Sequence, residues 1–237
     1  MPVKISQRFE AALKQIFLNQ SREIRAYMTT DFVLSGKRVS LRKWVNDDVI
    51  KSLLPFVLRD WQSGLKEGAE GTKKQGVSVN TRALRQEIED EAYEQIRRLL
   101  LENAKSTAAA INKAVTRARR DLKKGKPGAL IVVTKEIEKQ LLNKNRAKLI
   151  VATETETAHN GGRLMVITES GAKGKVWVTN LSSNNLCEIC ARLNGKIVKP
   201  NEPFWVNPKG GPYAVINQPP LHPNCRCRMK ASFRRSR

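Results

Sequence analysis

The sequence predicts an α+β protein: a mainly helical N-terminal region followed by a small, cysteine-rich module containing β-strands. Three observations carry this expectation. Apolar residues recur at helical spacing from Phe9 to Ile150. After Lys175 they give way to short apolar runs separated by proline and glycine. All four cysteines fall between Cys187 and Cys227. The implied organisation is a basic helical region over 1–129, a module with its helical approach over 130–227, and a basic tail over 228–237.

The first helix spans Ser6 to about Met28, with Phe9, Leu13, Ile16, Phe17, Ile24 and Tyr27 on one face. A connection containing Gly36 leads to a second helical unit, Leu41 to Leu65. Trp44, Leu53, Val57 and Trp61 give it a wide apolar face, suited to a core or a protein contact. Pro55 is expected to kink or divide it. Gly64, Gly68, Gly71 and Gly76 then read as a flexible linker. Asn80 or Thr81 can cap the next helix, which carries Leu84, Ile88, Ala92 and Ile96 and can restart at Ser106 or Thr107. Gly125, Pro127 and Gly128 stop it.

Leu130 to Val133 is either a short strand or the approach to a helix capped by Thr134, which continues to Ile150 and ends near His159. Beyond Gly161 and Gly162 the pattern changes, and Leu164 to Thr168 fits strand or helix equally. Lys175 to Val178, Ile197-Val198, Phe204 to Val206 and Tyr213 to Ile216 are the expected strands.

The cysteines form two short steps. Cys187 and Cys190 make a CxxC pair, and His222-Pro-Asn-Cys225-Arg-Cys227 supplies three further candidates. Two ligand-rich steps separated by a loop are how a small fold brings four soft ligands round a tetrahedral ion, most readily zinc in a structural role. Four cysteines, or Cys187, Cys190, Cys225 and His222, would complete the set. Confinement of the thiols to one end favours a local site over a disulfide framework.

The chain has 44 basic and 22 acidic residues, a formal net charge of +22. Such an excess attracts polyanions, double-stranded DNA first among them. The densest basic segment, 113–126, contains Lys113, Arg117, Arg119, Arg120, Lys123, Lys124 and Lys126 against Asp121 alone. After Cys227 come Arg228, Lys230, Arg234, Arg235 and Arg237 with no acid, the composition of a mobile tail. Neither region interleaves aromatics, so backbone contact without sequence preference is the expected mode.

No apolar run is long enough to cross a bilayer, so no membrane association is expected. No phosphate-binding glycine loop, dinucleotide fingerprint or GxSxG elbow is present. Glu154, His159 and His222 leave a metal-dependent nuclease as the rival reading, although the acids lack a convincing arrangement. The expectation is a protein that is not an enzyme.

At these residues the sequence resembles the Mu F-like, or MuF-domain, minor head proteins of tailed bacteriophages. The similar stretch begins with Arg146-Ala147, Ala152-Thr-Glu-Thr155 and Asn160-Gly161, with Ala152 where an arginine is commoner. Lys175, Trp177, Cys187-x-x-Cys190, Leu193-Asn-Gly195, Phe204 and Pro219-Pro-Leu-His222-Pro-Asn-Cys225-Arg-Cys227 follow in order. The resemblance implies a structural virion component assembled with the portal or major head protein, associated with packaged DNA or its delivery. The part before about residue 130 would then carry phage-specific contacts in the head.

Overall fold

The computed structural model describes residues 3–180, 187–205 and 215–234. Seven helices and five strands occur among them: α1 (Val3–Tyr27), α2 (Thr30–Leu34), a 3-10 turn (Arg42–Trp44), α3 (Asp47–Lys73), α4 (Arg85–Lys123), α5 (Ala129–Leu141), α6 (Lys144–Glu169), β1 (Gly174–Val178), α7 (Glu188–Leu193), β2 (Ile197–Val198), β3 (Phe204–Trp205), β4 (Val215–Ile216) and β5 (Arg228–Ser232). None of the described helices is long and apolar enough to cross a membrane. The chain divides into two compact units, 1–55 with 93–148 and 56–92 with 149–237. The boundaries lie inside α3, α4 and α6.

In the first unit the apolar stripe of α1 forms the core: Phe9, Leu13, Phe17 and Ile24 are buried, as are Val133, Ile137 and Leu141 of α5. Polar groups fasten the connections. The Asn112 side chain accepts from Val39 N–H at 2.7 Å and donates to Val39 C=O at 2.9 Å. Arg146 donates to the Gln140 carbonyl, to Asn103 Oδ1 (3.0 Å) and to Thr107 Oγ1 (2.8 Å), and its guanidinium lies over Phe17. Burial lowers its pKa. An arginine so engaged ties helices together and has few donors left for a ligand.

Several sequence expectations need correction. α3 is not divided at Pro55 but continues through it from Asp47 to Lys73. The proline is exposed, so the carbonyl left without an amide donor can be hydrated. Leu53, Val57 and Trp61 are buried and Trp44 is half-buried, so of the two expected uses of this apolar face the first three residues serve as core. α4 runs unbroken past Ser106 and Thr107, and Thr107 is buried as an acceptor for Arg146. Residues 130–133 are helical, and Gly128 in the left-handed region, not Thr134, stands before α5. The chain breaks at Leu142, where α5 ends, and resumes as α6, which runs through Gly161 and Gly162 to Glu169.

The second unit explains why those glycines do not end a helix. The Gly64 to Gly71 stretch is not a linker but the continuation of α3, and Gly64 meets α6 closely. A Cβ on Gly64 would lie 2.1 Å from the His159 carbonyl oxygen; one on Gly161 would lie 2.2 Å from the Trp61 ring. A Cβ on Gly162 would lie 2.3 Å from the Trp61 carbonyl oxygen. Glycine here permits backbone contact between helices, a use that composition alone cannot separate from flexibility.

β1 is the middle strand of an antiparallel sheet ordered β2-β1-β5. β3 and β4 form a separate pair. β5 corrects the reading of the tail: residues 228–232 are fixed in the sheet, with Met229 opposite Trp177. The expected strand positions Val206, Tyr213 and Ala214 lie outside the described residues. The core beneath the sheet gathers Ile167, Trp177, Leu193, Phe204, Leu221 and Met229 with three of the cysteines.

Replacing Gly161 by alanine should lower stability by about 1–3 kcal/mol, because the Trp61 ring is packed and must move. Gly71, where a Cβ would meet nothing within 4 Å, should instead gain about 0.5–1 kcal/mol as alanine. Urea midpoints of the two variants read the contrast, and a linker would leave both near zero.

Candidate metal centre

The first ligand step is held by a hook on β1. Cys187 precedes α7 in extended conformation, and its carbonyl accepts from Ala191 N–H, which places Cys190 one turn along. Thr179 Oγ1 donates to the Cys190 carbonyl at 2.7 Å, while Thr179 N–H donates to Asn194 Oδ1 at 3.0 Å. Gly195, at φ +77°, then turns the chain so that its N–H reaches the Trp177 carbonyl at 2.8 Å. Only glycine adopts that region without a Cβ penalty.

The second step is a tight turn. Cys225 N–H donates to the His222 carbonyl at 3.1 Å, and Asn224 between them sits at φ +62°, a region asparagine tolerates better than most residues. His222 Nδ1 lies 2.8 Å from the Pro223 carbonyl oxygen. A carbonyl only accepts, so Nδ1 carries the proton and the Nε2 lone pair is left facing Cys190 Sγ at 3.4 Å.

All five expected ligands converge on Cys190. Cys187, Cys190 and His222 present ligand atoms within 4.8 Å of one another, as do Cys190, Cys225 and Cys227. Cys190 and Cys225 sulfurs are 3.8 Å apart. Two thiolates on one tetrahedral zinc, at about 2.3 Å each, stand about 3.8 Å apart, and a thiolate and an imidazole nitrogen about 3.5 Å. The cluster therefore fits a metal ion. The four thiols are free, not bridged.

The thiols are not equivalent. The hydrogen bond from Cys227 holds the Cys225 thiol below its ordinary pKa, so of the three buried thiols it ionises most readily. Burial pushes Cys190 up to about 12, and the bond to Cys225 raises Cys227 as well. Cys227 Sγ also stands 3.8 Å from Thr179 Oγ1.

Behind the cluster lies a polar set on α6 that sequence reading does not assign to the site. Asn160 is fully buried. Its Nδ2 donates to the Cys227 carbonyl (3.1 Å) and to the Glu156 carbonyl (3.0 Å). Its Oδ1 accepts from Met229 N–H (3.1 Å) and from Arg163 Nη1 (3.4 Å). Arg163, itself buried, pairs with Glu67, whose carboxyl is held below its ordinary range despite the opposing effect of burial. Glu156 Oε1 pairs with Arg226 at 2.8 Å, and its Oε2 is buried without a hydrogen bond. Its sign in the sequence is Asn160-Gly161, which is one of the steps carrying the family resemblance but reads by composition as the end of a helix.

Lys175 is also buried, 5.4 Å from the Phe204 ring centroid, and desolvation brings its pKa down to about 8. The residues considered for metal-dependent hydrolysis, Glu154, His159 and His222, do not gather among the described residues: His222 lies with the cysteines, His159 Nε2 stands 3.7 Å from Asp60, and no carboxylate enters the cysteine cluster.

The basic residues divide by exposure. Lys113, Arg117, Arg120, Lys123, Lys124 and Lys126 are exposed, with Lys126 3.7 Å from Asp121. Arg119 is instead partly buried, its Nε donating to the Val33 carbonyl at 2.6 Å. Arg228 and Lys230 project from β5 and Arg234 is exposed; Arg235 and Arg237 lie outside the described residues.

Among known proteins, the family model described as Phage Mu protein F like protein matches residues 79–230. The match therefore starts before α4 and runs into β5, well beyond the stretch from Arg146 to Cys227. No curated protein and no solved structure matches the chain.

Replacing Asn160 by leucine should leave the Met229 N–H and Cys227 C=O buried without partners, at about 1–3 kcal/mol each. Hydrogen exchange at the Met229 amide should accelerate accordingly. Unchanged protection would mean that the sheet alone holds this strand.

Proposed function

The chain belongs to the phage Mu protein F-like family of phage structural proteins, and from that premise we propose a minor head protein whose C-terminal module is closed by one structural zinc ion. The observation that carries the proposal is the convergence of the two ligand steps on Cys190, within a segment that the family match covers. The ligands we assign are Cys187, Cys190, Cys225 and His222. His222 has the arrangement of a metal-bound imidazole, with Nδ1–H fixed on a carbonyl and Nε2 toward the thiols. Cys227 is assigned a supporting role, donating to Cys225 while its own carbonyl is held by Asn160.

Zinc in such a site supplies a cross-link and no catalytic position, since four protein ligands complete its tetrahedral shell. The residues do the rest. Cys225 ionises more readily than Cys190, whose burial opposes the loss of its proton, and Thr179 and Asn194 keep the first step folded against β1. In the particle, the proposed setting is the head interior near the portal, with the portal or major head protein as neighbour. The exposed basic residues of 113–126, with Arg228, Lys230, Arg234, Arg235 and Arg237, are proposed to contact double-stranded DNA through its phosphates.

Protein purified without a metal-affinity tag should contain about one zinc per chain. Cys190→Ser should lose the metal and the near-ultraviolet signal of Trp177, while Cys227→Ser should retain most of the metal. Native protein with its cysteines paired as disulfides would overturn the assignment.

Affinity for duplex DNA should fall steeply between about 50 and 200 mM salt and depend little on base sequence. Neutralising Arg117, Arg120, Lys123 and Lys124 should reduce the salt slope by about 0.9 for each phosphate that the variant no longer neutralises. Arg119 is left intact because it anchors Val33. Absence of binding at the lower salt would reassign this charge to protein docking.

A further inference from the structure

We infer that the outer edge of β5 is a docking site for an extended acidic peptide segment, which joins the sheet as an additional strand beside Ala231. The site is separate from the metal cluster; it shares Arg228 and Lys230 with the proposed phosphate contacts but also uses a strand edge and an apolar floor that a phosphate backbone does not need.

The register decides which backbone groups are available. Among the described residues β5 is an edge strand, paired with β1 on one side only. Met229 N–H turns away from β1 to meet Asn160 Oδ1. The opposite residue, Trp177, likewise turns its N–H and C=O to the far side, toward Lys196 and Gly195. Trp177 and Met229 are therefore a non-hydrogen-bonded pair, and the alternation of an antiparallel ladder makes Lys175 and Ala231 another. The N–H and C=O of Ala231 thus point outward from the sheet. Asn160 occupies the Met229 amide, so an added strand must engage beyond that point.

A groove of about 400 Å³ runs along this edge. That volume is on the scale of sites that accept ligands or side chains. Its floor includes Ile167 and Met229, both buried and apolar, and its far wall is the end of α3. Gly71 helps keep that wall open, since a Cβ there would touch nothing within 4 Å. Lys74, Arg228 and Lys230 stand exposed on the rim. The single carboxylate in the lining, Glu67, is already paired with Arg163 and lies 4.0 Å from Arg228.

An outward-facing backbone, an apolar floor and a basic rim together match an alternating peptide. Its backbone would bond to Ala231, one side-chain row would fill the floor, and acidic residues in the other would meet the rim. A nucleic acid would use the rim but neither the apolar floor nor the strand edge, so the peptide is the better occupant. Edges of this kind take added strands unless something blocks them. Exposed Lys230 and Arg228 discourage another basic copy of this chain and favour an acidic partner.

The test uses the full-length protein and a fluorescein-labelled peptide, Glu-Val-Glu-Val-Glu-Val-Glu, followed by anisotropy at about 50 mM salt. The expected result is saturable binding, weakened about fivefold when alternate peptide amides are N-methylated, because the hydrogen bond to the Ala231 carbonyl is then lost. The lysine counterpart of the peptide should not bind. Ala231→Pro removes an outward N–H without touching the β1 ladder and should weaken binding by about fivefold. Gly71→Trp, at an open helix position, should block the groove; it serves if the proline variant fails to fold. Equal binding of the methylated and unmethylated peptides would overturn the proposal. So would undiminished binding to folded Gly71→Trp protein, or full displacement by a short DNA duplex whose own binding Gly71→Trp abolishes.

Discussion

The buried amide of Asn160 is the tie on which the second unit depends. One side chain on α6 satisfies the Cys227 carbonyl just before β5 and the Met229 amide just inside it. Both donors and both lone pairs are used, with Glu156 and Arg163 completing the set. A fully buried amide is tolerable only when so satisfied. The metal-ligand turn and the edge strand leave the helix at the same point, and their register is fixed there. A hydrophobic residue at 160 could fill the volume but could not choose which residue of β5 faces α6.

That tie requires α6 to lie close to α3 within this unit, and glycine makes the approach possible. Gly64, Gly161 and Gly162 each stand where a methyl group would strike backbone or the Trp61 ring. A flexible linker and a close helix crossing look alike in sequence, because glycine is favourable in one for its freedom and in the other for its lack of volume. The periodic apolar residues made α1 and the long helices legible. The extent of α3, the continuation of α6 and the burial of Leu53, Val57 and Trp61 as core were not, because they depend on which tertiary partner each stretch meets.

The candidate site was legible to a different degree. Cys187, Cys190, His222, Cys225 and Cys227 stood out by chemistry and spacing alone, and all five converge. What lay beyond reach was the division of labour among them. The His222 tautomer follows from a contact with the adjacent Pro223 carbonyl, and the standing of Cys227 from its bond to Cys225. Neither is a property of spacing. Charge behaved similarly: +22 implied a polyanionic partner, yet only the fold separates Arg117 or Arg120 at the surface from Arg119, which is spent on the Val33 carbonyl. Arg228 and Lys230 read as part of a loose tail, but β5 holds them at defined positions.

A physical reason for a cysteine cluster at this end follows from what the sheet can supply. Among the described residues β2, β3 and β4 have two residues each, and β5 has one neighbour. Strands so short contribute few ladder hydrogen bonds, and the core beneath them relies on a handful of large side chains, chiefly Trp177 against Phe204 at 5.3 Å. Lys175 occupies part of the same interior, where desolvation opposes its charge. Such a module has little apolar area with which to offset the entropy of its loops. Bringing ligands from residues 187–190 and 222–225 onto one ion would close a loop of over thirty residues, and the benefit of such closure rises with the length of chain constrained. The strength of the cross-link and the thinness of the sheet are thus complementary, with Asn160 orienting what the metal would hold shut.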